Sequence, residues 1–134
     1  MFNSQKKYIN KKIKGVQSML WDLEFKRFKS LEIREGLRKD YDQASSRLEI
    51  LKTQIAGEKE NPTMSEDERK RLEDQQVLLE KDIDNYKRQI DSIDLDVNGS
   101  RPTDSMPEGH QGIYQQLEAL QQLKGMLQEY LKQI

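Results

Sequence analysis

The sequence contains no cysteine, and with it go disulfide frameworks, thiolate metal sites and thiol nucleophiles. Its one histidine, His110, has no second imidazole with which to share a metal, and no serine and acid arrangement around it suggests a triad, so it reads as a surface residue. Proline is scarce: nothing before Pro62 interrupts a helix by removing a backbone donor. Long apolar runs are missing as well, so neither a secretory leader nor a transmembrane span is expected. Phe2 stands where myristoylation needs glycine. Hydrophobic residues make up 34% and charged residues 35%, too little hydrophobe for a globular core and enough to line the seams between a few helices. No catalytic, nucleotide or cofactor motif stands out. The expectation is a non-enzymatic chain with no cofactor and no small-molecule ligand, cytoplasmic by default.

What is present is periodicity. Ile9, Ile13, Val16, Leu20 and Leu23, then Leu37, Tyr41, Ala44, Leu48, Leu51 and Ile55, recur by fours and threes in one heptad phase. That spacing predicts one long helix with a narrow apolar stripe. Arg27, Ser30 and Arg34 fall on the same phase and interrupt it chemically, with Leu31 and Ile33 as candidates to take over the packing there. The helix is expected over 4–57, capped by Ser4 and stopped at Gly57, with Gly15 and Gly36 as places to bend.

Pro62 makes 58–64 a turn. Ser65 with Glu68 three residues on is a capping box, and Glu66, Asp67 and Glu68 place acids at the positive end of the helix dipole. A second helix over 65–97 carries its own stripe at Leu72, Gln76, Leu79, Ile83, Tyr86, Ile90, Ile93 and Val97. A short connection makes the two helices antiparallel neighbours. A fold-back at Asn61 would set Leu51 near Leu72 and Ala44 near Leu79, with Arg27 and Arg34 reaching towards Asp91, Asp94 or Asp96.

After a polar linker, 98–106, a third helix is expected over 107–134, opened by Ser105 and Glu108. Its stripe is Ile113, Leu117, Leu120, Leu127, Leu131 and Ile134, widened by Leu123, Met126 and Tyr130 into a broad face that calls for burial. The second and third helices together match the first in length, which favours the third lying over Ile9 to Leu23; the rival arrangement folds it back along the hairpin. The fold class is therefore all-α: an elongated antiparallel coiled-coil hairpin plus a third C-terminal helix, in a single domain.

Three features bear on function. Lys7, Lys11, Lys14, Ser18, Trp21, Phe25 and Phe28 form a second row off the seam, basic at one end and aromatic at the other. The simplest expectation packs Trp21, Phe25 and Phe28 beneath the third helix or the linker; the functional readings make them a protein-docking row, or part of a surface for nucleic acid or anionic lipid. Asp94, Asp96 and Asn98 before Gly99 resemble half of a calcium loop, but Ser105 stands where a bidentate glutamate is needed, so Asn98-Gly99 reads more simply as a left-handed helix stop. Charge is unevenly distributed: +5 over 1–21, +1 over 22–57, −7 over 58–110 and zero thereafter. Such polarity favours oriented, salt-sensitive association.

The leading expectation is a structural or adaptor subunit of a larger assembly that meets a protein partner or itself through Ile9, Ile13, Val16, Leu20 and the aromatic row. The alternative is a nucleic-acid- or ribosome-binding accessory protein that docks through Lys6, Lys7, Lys11, Lys12 and Lys14. If the alternative holds, retention on immobilised RNA or heparin falls steeply with salt, and changing those five lysines to glutamine abolishes it. Binding that survives both changes excludes the lysine route.

Overall fold

The computed structural model describes residues 2–102, 104 and 107–134. Three helices follow in order: α1 (Phe2–Glu60), α2 (Glu66–Asn98) and α3 (Ile113–Gln133). The all-α class and the hairpin of α1 with α2 are as the periodicities require. Among the described residues the one β-type pairing is an isolated antiparallel bridge between Ser100 and His110. Among the described residues no helix is long and apolar enough to cross a membrane.

The ends of α1 differ from expectation. The helix is already formed at Phe2, which leaves Ser4 inside it rather than at its cap, and it continues through Gly15, Gly36 and Gly57 to Glu60. Gly57 does not stop it because its carbonyl is taken by the Asn61 N–H at 2.9 Å, one more helical turn before Pro62.

The chain divides into two compact units, one of Met1–Glu32 with Ile93–Ile134 and the other of Ile33–Ser92. In the second, α1 and α2 bury the heptad stripe: Ala44, Leu51 and Ile90 are buried, while Leu37, Tyr41, Leu48, Leu72, Leu79, Ile83 and Tyr86 are half-buried. Arg34 is half-buried on the same phase and Ile33 is exposed, so the seam passes through its polar position instead of stepping around it. Glu58 extends the stripe by one more step and is itself buried.

Glu58 organises the turn. Its carboxylate accepts the N–H groups of Thr63 at 2.9 Å and Met64 at 3.0 Å, together with the Thr63 hydroxyl. These three bonds satisfy donors that Pro62 and the chain reversal would otherwise strand. They also move the fold-back from Asn61 towards Thr63. Ile55 and Glu58 accordingly line one recess with Arg69 and Leu72, and Leu51 lines another with Gln75 and Leu79, further along α2 than the Leu72 that a fold-back at Asn61 would have set near it. At the start of α2 the Ser65 hydroxyl accepts the Glu68 N–H at 3.2 Å, which is the N-cap half of the expected capping box.

In the other unit α3 runs antiparallel along the first half of α1. Tyr130 borders a recess with Ser4 and Ile9, Lys124 sits near Gln17 and Leu20, and Arg27 lies over the Tyr114 ring at 5.3 Å. Its core is Val97, Ile113 and Leu117, with Leu20, Leu23 and Ile93 packed against it; Ile113 is only 2% exposed. The favoured expectation for α3 is thus the observed one. Its face is narrower than expected: Leu123, Met126 and Tyr130 are exposed, and the seam runs through half-buried Lys124. A single helix can fill only the groove facing it, so residues that widen the stripe stay in water.

A backbone clasp seats α3. Gly99, at φ 72°, ends α2 in the left-handed conformation with its N–H on the Leu95 carbonyl at 2.8 Å. Ser100 and His110 exchange backbone bonds of 2.9 and 3.1 Å, and Gly112 caps α3. A Cβ on Gly112 would lie 2.3 Å from the Gly99 nitrogen, so the backbones meet where only glycine fits. Gln115 closes the joint: its Oε1 accepts the Gly112 N–H at 2.9 Å, and its Nε2 donates to the Asn98 carbonyl at 2.7 Å. This is why α3 begins at Ile113 and not at 107. Of the expected opening pair, Glu108 lies in the turn before the clasp, and Ser105 lies outside the described residues.

Two outcomes follow. Gly112→Ala forces the two backbones apart and lowers stability by about 1–3 kcal/mol, read by denaturant unfolding, with Gly125→Ala as the unhindered helical control. The hydrogen bonds from Thr63 and Met64, helped by the charge of Arg69, hold the Glu58 carboxyl below its ordinary 4.5. A lowered folded value stabilises the native state above the unfolded value and loses that contribution as pH falls through the folded one. Stability therefore declines with acid below about pH 4.5, and Glu58→Gln lowers stability at pH 7 while flattening that acid limb. An unchanged limb in Glu58→Gln would show that the carboxylate does not hold the turn.

Candidate interaction face

The seam and the second row lie on different sides of α1. At ~100° per residue, steps of four and three keep Lys7, Lys11, Lys14, Ser18, Trp21, Phe25 and Phe28 in line, turned well over 90° from the stripe that begins at Ile9. Because α3 occupies the stripe, it leaves the row largely uncovered and reaches its margin only with Lys124. Trp21 is 73% exposed, Phe25 55% and Phe28 64%, which overturns the expectation that these rings pack beneath the third helix. Together with Leu20, Glu24 and Lys124 they border a shallow groove of about 720 Å³. Three large rings in water on one helix face form the kind of contiguous apolar surface that marks interaction sites.

The remaining candidates separate into a buried and an exposed set. Ile9, Ile13 and Val16 are buried within the chain, and Leu20 is half-buried against the Val97, Ile113 and Leu117 core, so this stripe is already covered by α3. Lys6, Lys7, Lys11, Lys12 and Lys14 are all exposed, with the Lys12 ammonium 5.4 Å from the centre of the Tyr8 ring. Arg27 reaches Glu24 at 3.7 Å and Tyr114, where the sequence pointed it towards Asp91, Asp94 or Asp96.

The calcium-loop resemblance does not survive the geometry. Asp94, Asp96 and Asn98 are still helical, so Asp94 and Asp96 point about 160° apart around α2 instead of converging. Asp96 lies 3.6 Å from His110 Nε2, which ties the histidine to the clasp. Among the described residues no three His, Asp or Glu side chains stand together as metal ligands.

Two contributors are hidden in the composition. Lys124 falls on the four-and-three phase of α3 between Leu120 and Leu127, a position passed over because it is charged. Gln115 looks like one of many glutamines, and nothing local marks it as the residue that joins two helices. No family model, no curated protein and no solved structure matches this chain.

Proposed function

We propose that the protein is a non-enzymatic structural or adaptor subunit, which holds a partner through the aromatic row on the outer face of α1. The observation that carries this reading is the exposure of Trp21, Phe25 and Phe28 on a helix whose apolar stripe is otherwise covered. Exposed aromatics with few rotatable bonds are the side chains that dominate protein–protein binding energy once desolvated. The heptad spacing of all three helices supports a coiled-coil type of scaffold, rigid enough to present that row. A cytoplasmic setting fits the absence of cysteine, which needs no oxidising compartment.

A second reading rests on its own observation: five exposed lysines with no acid before Asp22 suit a phosphate-bearing polymer. The row is favoured because it bears the larger apolar surface.

The combined variant Trp21→Ala, Phe25→Ala and Phe28→Ala tests the proposal. Its helicity is expected to match the parent, since the rings stand largely in water outside the buried seam. In cross-linking from its source cells, the parent chain should retain companion proteins that the variant loses. Equal recovery by both would remove the row as the working surface.

A further inference from the structure

We infer that the row is occupied by a second copy of this chain, in an antiparallel pairing of the two α1 outer faces about a two-fold axis between Trp21 and Phe25. The inference rests on the row being the working surface and names what meets it.

The argument is one of register. The row continues by a step of four from Phe28 to Glu32, which is exposed and carries an ion pair to Lys29 at 3.7 Å in water. When two identical rows spaced by fours and threes pack antiparallel, their layers match only in certain registers. In the one centred between Trp21 and Phe25, Trp21 of one copy meets Phe25 of the other, Ser18 meets Phe28, and Lys14 meets Glu32. By symmetry each of these layers occurs twice. Six rings then fill the centre, and an ion pair of opposite charges closes each end. Ser18, the small residue of the row, falls opposite a phenylalanine, which leaves that ring room. Aromatic and ionic layers that satisfy themselves under a two-fold operation are what an isologous interface requires.

The size places the pairing at the weak, reversible end of protein interfaces. At roughly 150–250 Å² per aromatic side chain, the exposed fractions of the three rings leave roughly 300–450 Å² of ring surface per copy, before the aliphatic stems beside them. Exposed ion pairs add little affinity but fix orientation, so the rings supply the binding and Lys14 with Glu32 supplies the direction.

The rival occupants fit less well. Along 21–32 the acids Asp22, Glu24 and Glu32 are balanced by Lys26, Arg27 and Lys29, so this stretch lacks the marked positive charge that would draw an anionic bilayer or a phosphate chain. The lysine cluster before Asp22 also lies at the other end of the row from the rings, so a base stacked on Trp21 would leave its phosphate far from Lys7 and nearer Lys29 and Lys124.

Sedimentation velocity on the full chain over a micromolar concentration series, with Trp21 emission read in parallel, tests the pairing. Expected are a reversible dimer and an emission shift to shorter wavelength as the single tryptophan is covered. Phe25→Glu should weaken self-association by more than about thirtyfold with unchanged helicity. Lys14→Glu and Glu32→Lys should each weaken it by about three- to tenfold, while their equimolar mixture, and the chain carrying both changes, associate like the parent. A parallel pairing would not respond to either single change in that way.

A parent chain that stays monomeric at the highest concentration, or a dimer indifferent to Phe25→Glu, overturns the inference. So does Trp21 emission that shifts only on adding phosphatidylserine vesicles or polyuridylate. If the parent is monomeric but the triple alanine variant still loses companion proteins, the row stands as the working surface with a different occupant. If neither measurement distinguishes the variants, both readings fall together.

Discussion

Everything in this protein depends on a stripe that one helix cannot bury by itself. The four-and-three spacing along α1 leaves apolar side chains on a narrow arc, and such an arc leaves water only against another helix with the same spacing. In the unit Ile33–Ser92 the second half of α1 is closed by α2, and in the other unit its first half is closed by α3 with the end of α2. A two-helix seam encloses little, so few side chains are more than nine-tenths covered and the tightest packing gathers at Val97, Ile113 and Leu117. Stability then leans on places where the chain turns, because there the backbone must be satisfied without a regular ladder. Glu58 does this at one turn with a carboxylate, and Gly99 with Gly112 and Gln115 does it at the other with close-packed backbone.

The same geometry decides what is left for function. Closing a narrow stripe covers one side of α1 and leaves the opposite side in water. On most helices that side is charged, and here it carries lysines, then three aromatic rings, then Glu32. Rings exposed to water gain nothing for the fold, so their burial energy remains for association. The charges flanking them are too exposed to add much binding, but they distinguish one alignment from another.

Helix identity and number were legible from the chain because hydrophobic period and capping residues act within a few positions of one another. Pro62, Ser65 and Gly99 mark boundaries for the same local reason. The polar positions Arg27, Ser30 and Arg34 misled only about packing: a rigid helix keeps its phase, so half-burying an arginine stem costs less than bending the seam around it. Lys124 is the same case on α3. Ser4 and Gly57 show the opposite failure, since each residue type suits a helix boundary but α1 runs on through both.

By itself the sequence determined an all-α chain of three helices, their heptad phase, the turn at Pro62 and the separation of a basic and aromatic row from the seam, all of which follow from local spacing. Only the tertiary structure decided the register of the hairpin, the start of α3 and its place on Ile9 to Leu23, and hence that Trp21, Phe25 and Phe28 face water. Those outcomes turn on contacts that no periodicity records, Glu58 with Met64 across a reversal and Gln115 with Asn98 across a loop.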